Sequence, residues 1–149
     1  MRRDMYNLLL ADDDMDDCIF FKEALDELPF SSTLITVKNG EELMQQLETR
    51  QDNLPDMLFL DLNMPRKNGY ECLGEIKTNK GLRHIPVIIL STSFDDDKVN
   101  SLYENGASYY IRKPGDFKKL KQVIEQAVSL VTANGPGQPP KEKYVLNSL

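Results

Sequence analysis

The chain has 149 residues, enough for one domain that buries roughly two-thirds of the surface its unfolded form would expose. Hydrophobic residues make up 40% and charged residues 28%, the composition of a globular chain and not of a disordered one. A net charge of −6 argues against a nucleic-acid binder, which wants a basic face, and no stretch nears the run of about 18 apolar residues that a membrane span needs.

The start, MRRDMYNLLLADDD, has basic residues and a short apolar run, but acids stand where a signal peptide needs small residues, so a cytoplasmic protein is expected. The first predicted strand, Tyr6–Ala11, stops in Asp12, Asp13 and Asp14, with Asp16 and Asp17 close behind. Like charges 4 Å apart repel by about 1 kcal/mol per pair even in water, so this density calls for a cause. Residues 15–28 then place Ile19, Phe20, Phe21, Ala24, Leu25 and Leu28 on a helical stripe closed by Pro29, with Asp14 as N-cap and Asp16 and Asp17 as first-turn acids.

A second strand, Thr33–Val37, precedes a helix over 41–50 with Leu43, Met44 and Leu47 inward. The third, Met57–Leu60, runs into Asp61 of DLNMPRKNG and a helix over 69–78 that offers Tyr70, Leu73 and Ile76. His84, the single histidine, precedes the fourth strand, Val87–Leu90, and so belongs at the opposite end of the sheet from the acids, in a solvated loop. Ser91 of LSTS follows that strand; DDDK at 95–98 caps a mostly polar helix over 95–105, and Asn105–Gly106 ends it.

The fifth strand, Tyr109–Ile111, leads to Lys113–Pro114, where the proline suggests a cis bond. The last helix, about 116–133, repeats Phe117, Leu120, Val123, Ile124, Ala127, Val128 and Val131. The folded domain is thus expected over 1–133, with 134–149, opening Asn-Gly-Pro-Gly, as a flexible tail whose Tyr144, Val145 and Leu146 are residues to dock on a partner or a second copy. Cys18 and Cys72 fit no metal-ligand spacing and read as half-buried helix thiols.

Short apolar strands alternating with amphipathic helices mean an α/β protein, a doubly wound five-stranded parallel sheet with five helices. Ligands of such sheets bind beyond the carboxyl ends of the strands. Asp12 and Asp13, Asp61, Ser91 and Lys113 each follow a different strand, so carboxylates, a hydroxyl and an ammonium converge on one edge. Clustered carboxylates suit a hard divalent cation, and Mg²⁺ takes a few oxygen ligands with water. An aspartate beside it is placed to act as a nucleophile and carry an acyl phosphate; Asp61, alone at the central strand, is the candidate.

This constellation, with Asp61 inside D-L-N-M-P and the segment NGASYYIRKP around the fifth strand, resembles the receiver domain of two-component response regulators from residue 6 to about 132. The resemblance implies the flavodoxin-like strand order 2-1-3-4-5 (the handedness and switch-point rules apply to it as to other doubly wound sheets). It implies phosphorylation at Asp61, Mg²⁺ held by Asp12, Asp13, Asp61 and the backbone carbonyl of Asn63, a switch hydroxyl at Ser91, the invariant lysine at Lys113 and an aromatic switch at Tyr110. Pro65 and Gly69 fit the loop and helix start after the phosphorylation site. Ser91 stands where threonine is commoner and keeps the hydroxyl, and Thr92 occupies a position that bears on how fast water reaches the phosphoryl group.

By the same resemblance the protein would be a stand-alone switch, not an enzyme, catalysing only its own phosphotransfer and dephosphorylation. Its donor would be a histidine kinase or a phosphotransfer protein, and the acidic start resembles single-domain regulators associated with phytochrome-type kinases. With no effector domain expected after the last helix, output would be contact with a downstream protein, and homodimers through the switch face are common in the family. Two other classes stay open at this point. One is a Mg²⁺-dependent phosphohydrolase of the haloacid dehalogenase kind, against which Asn63 stands where a second acid is needed; the other is a degenerate receiver acting as a scaffold.

Overall fold

The computed structural model describes residues 5–92 and 95–146. The first four residues of the expected domain, Ser93 of LSTS with Phe94 after it, and the last three residues of the expected tail lie outside the described residues.

Strands β1 (Tyr6–Ala11), β2 (Ser32–Val37), β3 (Met57–Leu60), β4 (Val87–Ser91) and β5 (Tyr109–Arg112) alternate with helices α1 (Met15–Asp26), α2 (Gly40–Thr49), α3 (Gly69–Thr78), α4 (Asp96–Glu104) and α5 (Phe117–Asn134). All neighbouring strands pair in parallel, in the order β2-β1-β3-β4-β5 that the family resemblance implies, with a sixth strand added beyond β5. The central strands are apolar throughout because both their faces are covered. Leu8, Leu10, Met57, Phe59, Ile88 and Leu90 face one cluster with Phe21 and Leu25 of α1 and Leu120, Ile124 and Val128 of α5. The alternate residues Leu9, Leu58, Leu60 and Ile89 face Leu43, Leu73 and Leu102 of α2, α3 and α4.

Each helix starts at an Asp or Asn whose side chain accepts a first-turn N–H: Asp14, Asn39, Asn68, Asp95 and Asp116. Asn68 and Glu71 form a reciprocal capping box. The acids at 14 and 95 are therefore structural, as expected of them. Ile19, expected on the apolar stripe of α1, is 51% exposed. It lies two residues, about 200° of helix, from the Phe21 that faces the sheet. The two cysteines are free and at least partly buried, and burial pushes both thiols up to about 11, leaving them protonated and inert.

Two further expectations are corrected. No described peptide bond is cis, so Lys113–Pro114 is trans; a prolyl bond loses only part of its trans preference. Among the described residues the sheet has six strands, not five, and the sixth comes from the segment expected as a flexible tail. After Gly135 the chain doubles back: Gln138 Nε2 donates to the carbonyls of Tyr103 (2.7 Å) and Ala107 (2.8 Å), and Tyr103 Oη donates to that of Pro139 (2.7 Å). A 3₁₀ turn, Lys141–Lys143, then leads into β6 (Val145–Leu146), in register with Tyr110 and Ile111. The physical reason is the open edge of β5, whose Tyr110 N–H donates to the Tyr144 carbonyl at 3.1 Å. The side chain of Tyr144 is 1% exposed and packs on the rings of Tyr103 and Tyr110.

Candidate functional site

Asp12, Asp61 and Lys113 are each the first residue past a strand, and the sheet's own ladder holds them. The Asp12 N–H donates to the Val37 carbonyl of β2 (3.0 Å), that of Asp61 to Ala11 of β1 (2.9 Å), and that of Lys113 to Ser91 of β4 (2.8 Å). Each backbone is thus fixed by a neighbouring strand while its side chain projects from the sheet's edge.

Asp12 is 1% exposed and Asp61 6%, whereas Asp13 is exposed. One carboxylate oxygen from each of the three lies within 4.8 Å of the others. Lys113 Nζ donates to Asp12 Oδ2 at 2.8 Å and to Asp17 Oδ2 at 3.0 Å, and is 3.9 Å from Asp61 Oδ1. The second oxygen of Asp12 accepts the Asp14 N–H at 3.0 Å.

Burial raises the Asp61 carboxyl from its ordinary 3.8 to about 6; the Lys113 ammonium opposes that rise, Asp12 adds to it, and the N–H groups of Asn63 and Leu62 lower it. Burial alone would lower Lys113, but hydrogen bonds to Asp12 and Asp17 outweigh it and keep the ammonium charged above its ordinary range. Above about pH 6 the pocket therefore sets an ionised Asp61 among two more carboxylates and one cation. An oxygen-only donor set with surplus negative charge, part buried and part open, fits a small hard divalent cation.

Ser91 is the last residue of β4 and fully buried, with its carbonyl bonded to Lys113. Tyr110, also buried, lies one strand further out among the side chains facing α2, α3 and α4, against Tyr144. Asn63 is exposed two residues after Asp61, and His84 is exposed in the loop ahead of β4, at the far end of the sheet, as expected. The β3–α3 loop packs tightly: Gly69 N–H donates to the Leu62 carbonyl at 3.0 Å, and a Cβ on Gly69 would sit 2.8 Å from Leu62 Cα.

The sequence marks Asp17 only as a first-turn acid, and the structure joins it to Lys113. The available signal was its place three residues after the N-cap Asp14, from where a side chain reaches back over the helix start.

A doubly wound parallel sheet with three carboxylates and a lysine meeting at its carboxyl edge defines a receiver, and the chain belongs to the response regulator receiver domain family, whose model matches residues 8–125. Members of the family are the phosphorylation switches of two-component systems. Among the most similar relatives is the response regulator Rcp1 of Synechocystis, 34% identical over 122 residues, 79% of this chain and 83% of Rcp1. Another is the probable methanogenesis regulatory protein FilR2 of Methanothrix harundinacea, 32% identical over 83% of this chain and 81% of FilR2. Among solved structures, the phosphorylated cyanobacterial phytochrome response regulator RcpA superposes with a TM-score of 0.80 at 32% identity, covering 89% of this chain and 99% of RcpA. No helix among the described residues is long and apolar enough to cross a membrane.

Proposed function

We propose that the protein is a single-domain response regulator that accepts a phosphoryl group on Asp61 and signals through protein–protein contacts. The observation that carries this reading is the pocket: Asp12, Asp13 and Asp61 within one ion's reach, and Lys113 charged beside them.

A carboxylate oxygen of Asp61 attacks the phosphorus of a phosphohistidine; the P–N bond breaks and the imidazole leaves with the electron pair. Hydrolysis later breaks the new P–O bond and restores the carboxylate. Asp12, Asp13, Asp61 and the backbone carbonyl of Asn63 would hold Mg²⁺, which supplies charge neutralisation for the transferring group. Asp12 stays in place through the N–H of Asp14, and Lys113 brings its ammonium to the phosphoryl oxygens. Structural work on Rcp1 includes a Mn²⁺-bound form, which supports a divalent ion in a pocket of this kind. Ser91, buried on the strand between Asp61 and Tyr110, would turn toward the new charge and free space for Tyr110 to rotate, which reshapes the α4–β5–α5 face.

The donor is a histidine kinase or a histidine phosphotransfer protein, since His84 stands exposed at the far end of the sheet. The likeness to RcpA favours a phytochrome-type kinase, while FilR2 is named for another physiology, so both kinds of donor belong in the test. A downstream protein, or a second copy through the switch face, reads the output. Asn63 in place of a second acid speaks against phosphohydrolase chemistry, and the paired acids and lysine against a mere scaffold.

Incubation with acetyl phosphate and Mg²⁺ tests this. The expected product is a stoichiometric, acid-stable, base-labile adduct that Asp61→Asn and chelation both abolish. Multiple turnover of unrelated phosphate monoesters would overturn the switch in favour of a hydrolase, and no adduct from acetyl phosphate or any kinase in favour of a scaffold.

A further inference from the structure

Asp17 is an acid of the pocket's rim that neither helix capping nor the expected ligand set explains. Its N–H donates to the N-cap Asp14 at 3.1 Å, which fixes it in the first turn of α1, and its Oδ2 accepts from Lys113 Nζ at 3.0 Å. An ammonium has three protons. Two of those on Lys113 go to Asp12 and Asp17, while Asp61 at 3.9 Å is an ion-pair neighbour outside hydrogen-bond range. Both accepting carboxylates lie on the β1–α1 side, so the cation is drawn away from the residue that would need it.

We propose that Asp17 is a positioning residue that parks the Lys113 ammonium on the α1 side of the pocket and releases it when Asp61 carries a phosphoryl group. The inference rests on the phosphoacceptor reading above. The two carboxylates that hold Lys113 are not equivalent. Asp12 has a side chain only 1% exposed and is tied by the Asp14 N–H, so it cannot leave. The Asp17 side chain is 43% exposed, so water screens its bond to Lys113 and readily replaces it. A phosphoryl group near −2 is a stronger acceptor than one screened carboxylate, and the ammonium crosses to it. Breaking the Lys113–Asp17 contact then opposes formation of the modified state. A partly exposed ion pair of this kind is worth up to about a fivefold change in an equilibrium constant.

Beryllofluoride, which mimics a phosphoryl group on a carboxylate, tests this by calorimetric titration in saturating Mg²⁺. Asp17→Asn should bind it about fivefold more tightly than wild type. Asp17→Glu, which keeps a carboxylate one methylene further out, should restore affinity to within about twofold of wild type, a rescue that a merely structural role would not give. Asp16→Asn removes a charge from the same turn without touching Lys113 and should also stay within about twofold. Equal effects from Asp16→Asn and Asp17→Asn, or no tightening in Asp17→Asn, would overturn the parking role alone. A wild-type chain that takes up no beryllofluoride would instead overturn the phosphoacceptor reading, and this inference with it.

Discussion

Replacing Asp61 by asparagine should make the metal-free protein more stable, although it removes the proposed phosphoacceptor. Burial lifts this carboxyl from 3.8 to about 6, so the fold favours its protonated form. At about 1.4 kcal/mol per unit, the ionised group costs the folded state roughly 3 kcal/mol at pH 8. Between about pH 4 and 6 the folded chain keeps a proton that the unfolded chain has lost. The contribution of this group to stability therefore falls as pH rises through that window and stays low above it. Asparagine is neutral throughout, and its carbonyl oxygen still accepts from the N–H groups of Asn63 and Leu62. In EDTA at pH 8, Asp61→Asn should gain about 2–3 kcal/mol, or about 10 °C in Tm for a chain of this size, shrinking to about a third of that at pH 4.5. Thermal melts of both proteins at the two pH values measure it. A variant no more stable than wild type at pH 8, or a gap that ignores pH, would refute the claim that Asp61 is held charged at the fold's expense.

Because the metal relieves that crowding of charge, Mg²⁺ at about a hundredfold above its Kd should stabilise wild type by about 2.7 kcal/mol in urea titrations, and Asp13→Asn should lose most of this gain without lowering metal-free stability. The Tyr144 hydroxyl is buried with no hydrogen-bond partner among the described residues. Tyr144→Phe should therefore be neutral or up to about 1 kcal/mol more stable, while Tyr144→Ala should lose about 3 kcal/mol by leaving a cavity beside Tyr103 and Tyr110; chemical denaturation measures both. Gly69→Ala drives a methyl into the Asp61 carbonyl and Leu62 Cα, so it should cost at least about 2 kcal/mol in chemical denaturation and weaken Mg²⁺ stabilisation, because the atoms that must move belong to Asp61 and the residue after it.

The sheet was legible in the sequence because runs such as MLFL and VIIL admit few readings once helical stripes separate them. The pocket was legible because parallel topology sends every strand's following residue to one edge, so Asp12, Asp61 and Lys113 could be brought together without knowing a distance. Three features escaped for physical reasons. Ile19 sits on a helix with apolar residues on several sides, and only packing against β1 and β3 decides which side is buried. Asp17 looks like any acid that favours a helix N-terminus until the lysine arrives from 96 residues away. Val145–Leu146 is too short for periodicity to register as a strand, and it forms because β5 offers a free edge and Tyr144 a ring to bury. The prolyl bond at 113–114 shows the opposite error, a local habit of proline read as a requirement of the loop.

The direction of β6 has a consequence for handling the molecule. It runs alongside β5, not against it, with Leu146 level with Ile111, only two residues short of the pocket lysine. Leu146 therefore lies toward the sheet edge that carries Asp12, Asp61 and Lys113, not toward the remote end near His84. A dye on Val145, the half-buried residue of the pair, would report on the pocket at close range, and a bulky substituent there would crowd that edge.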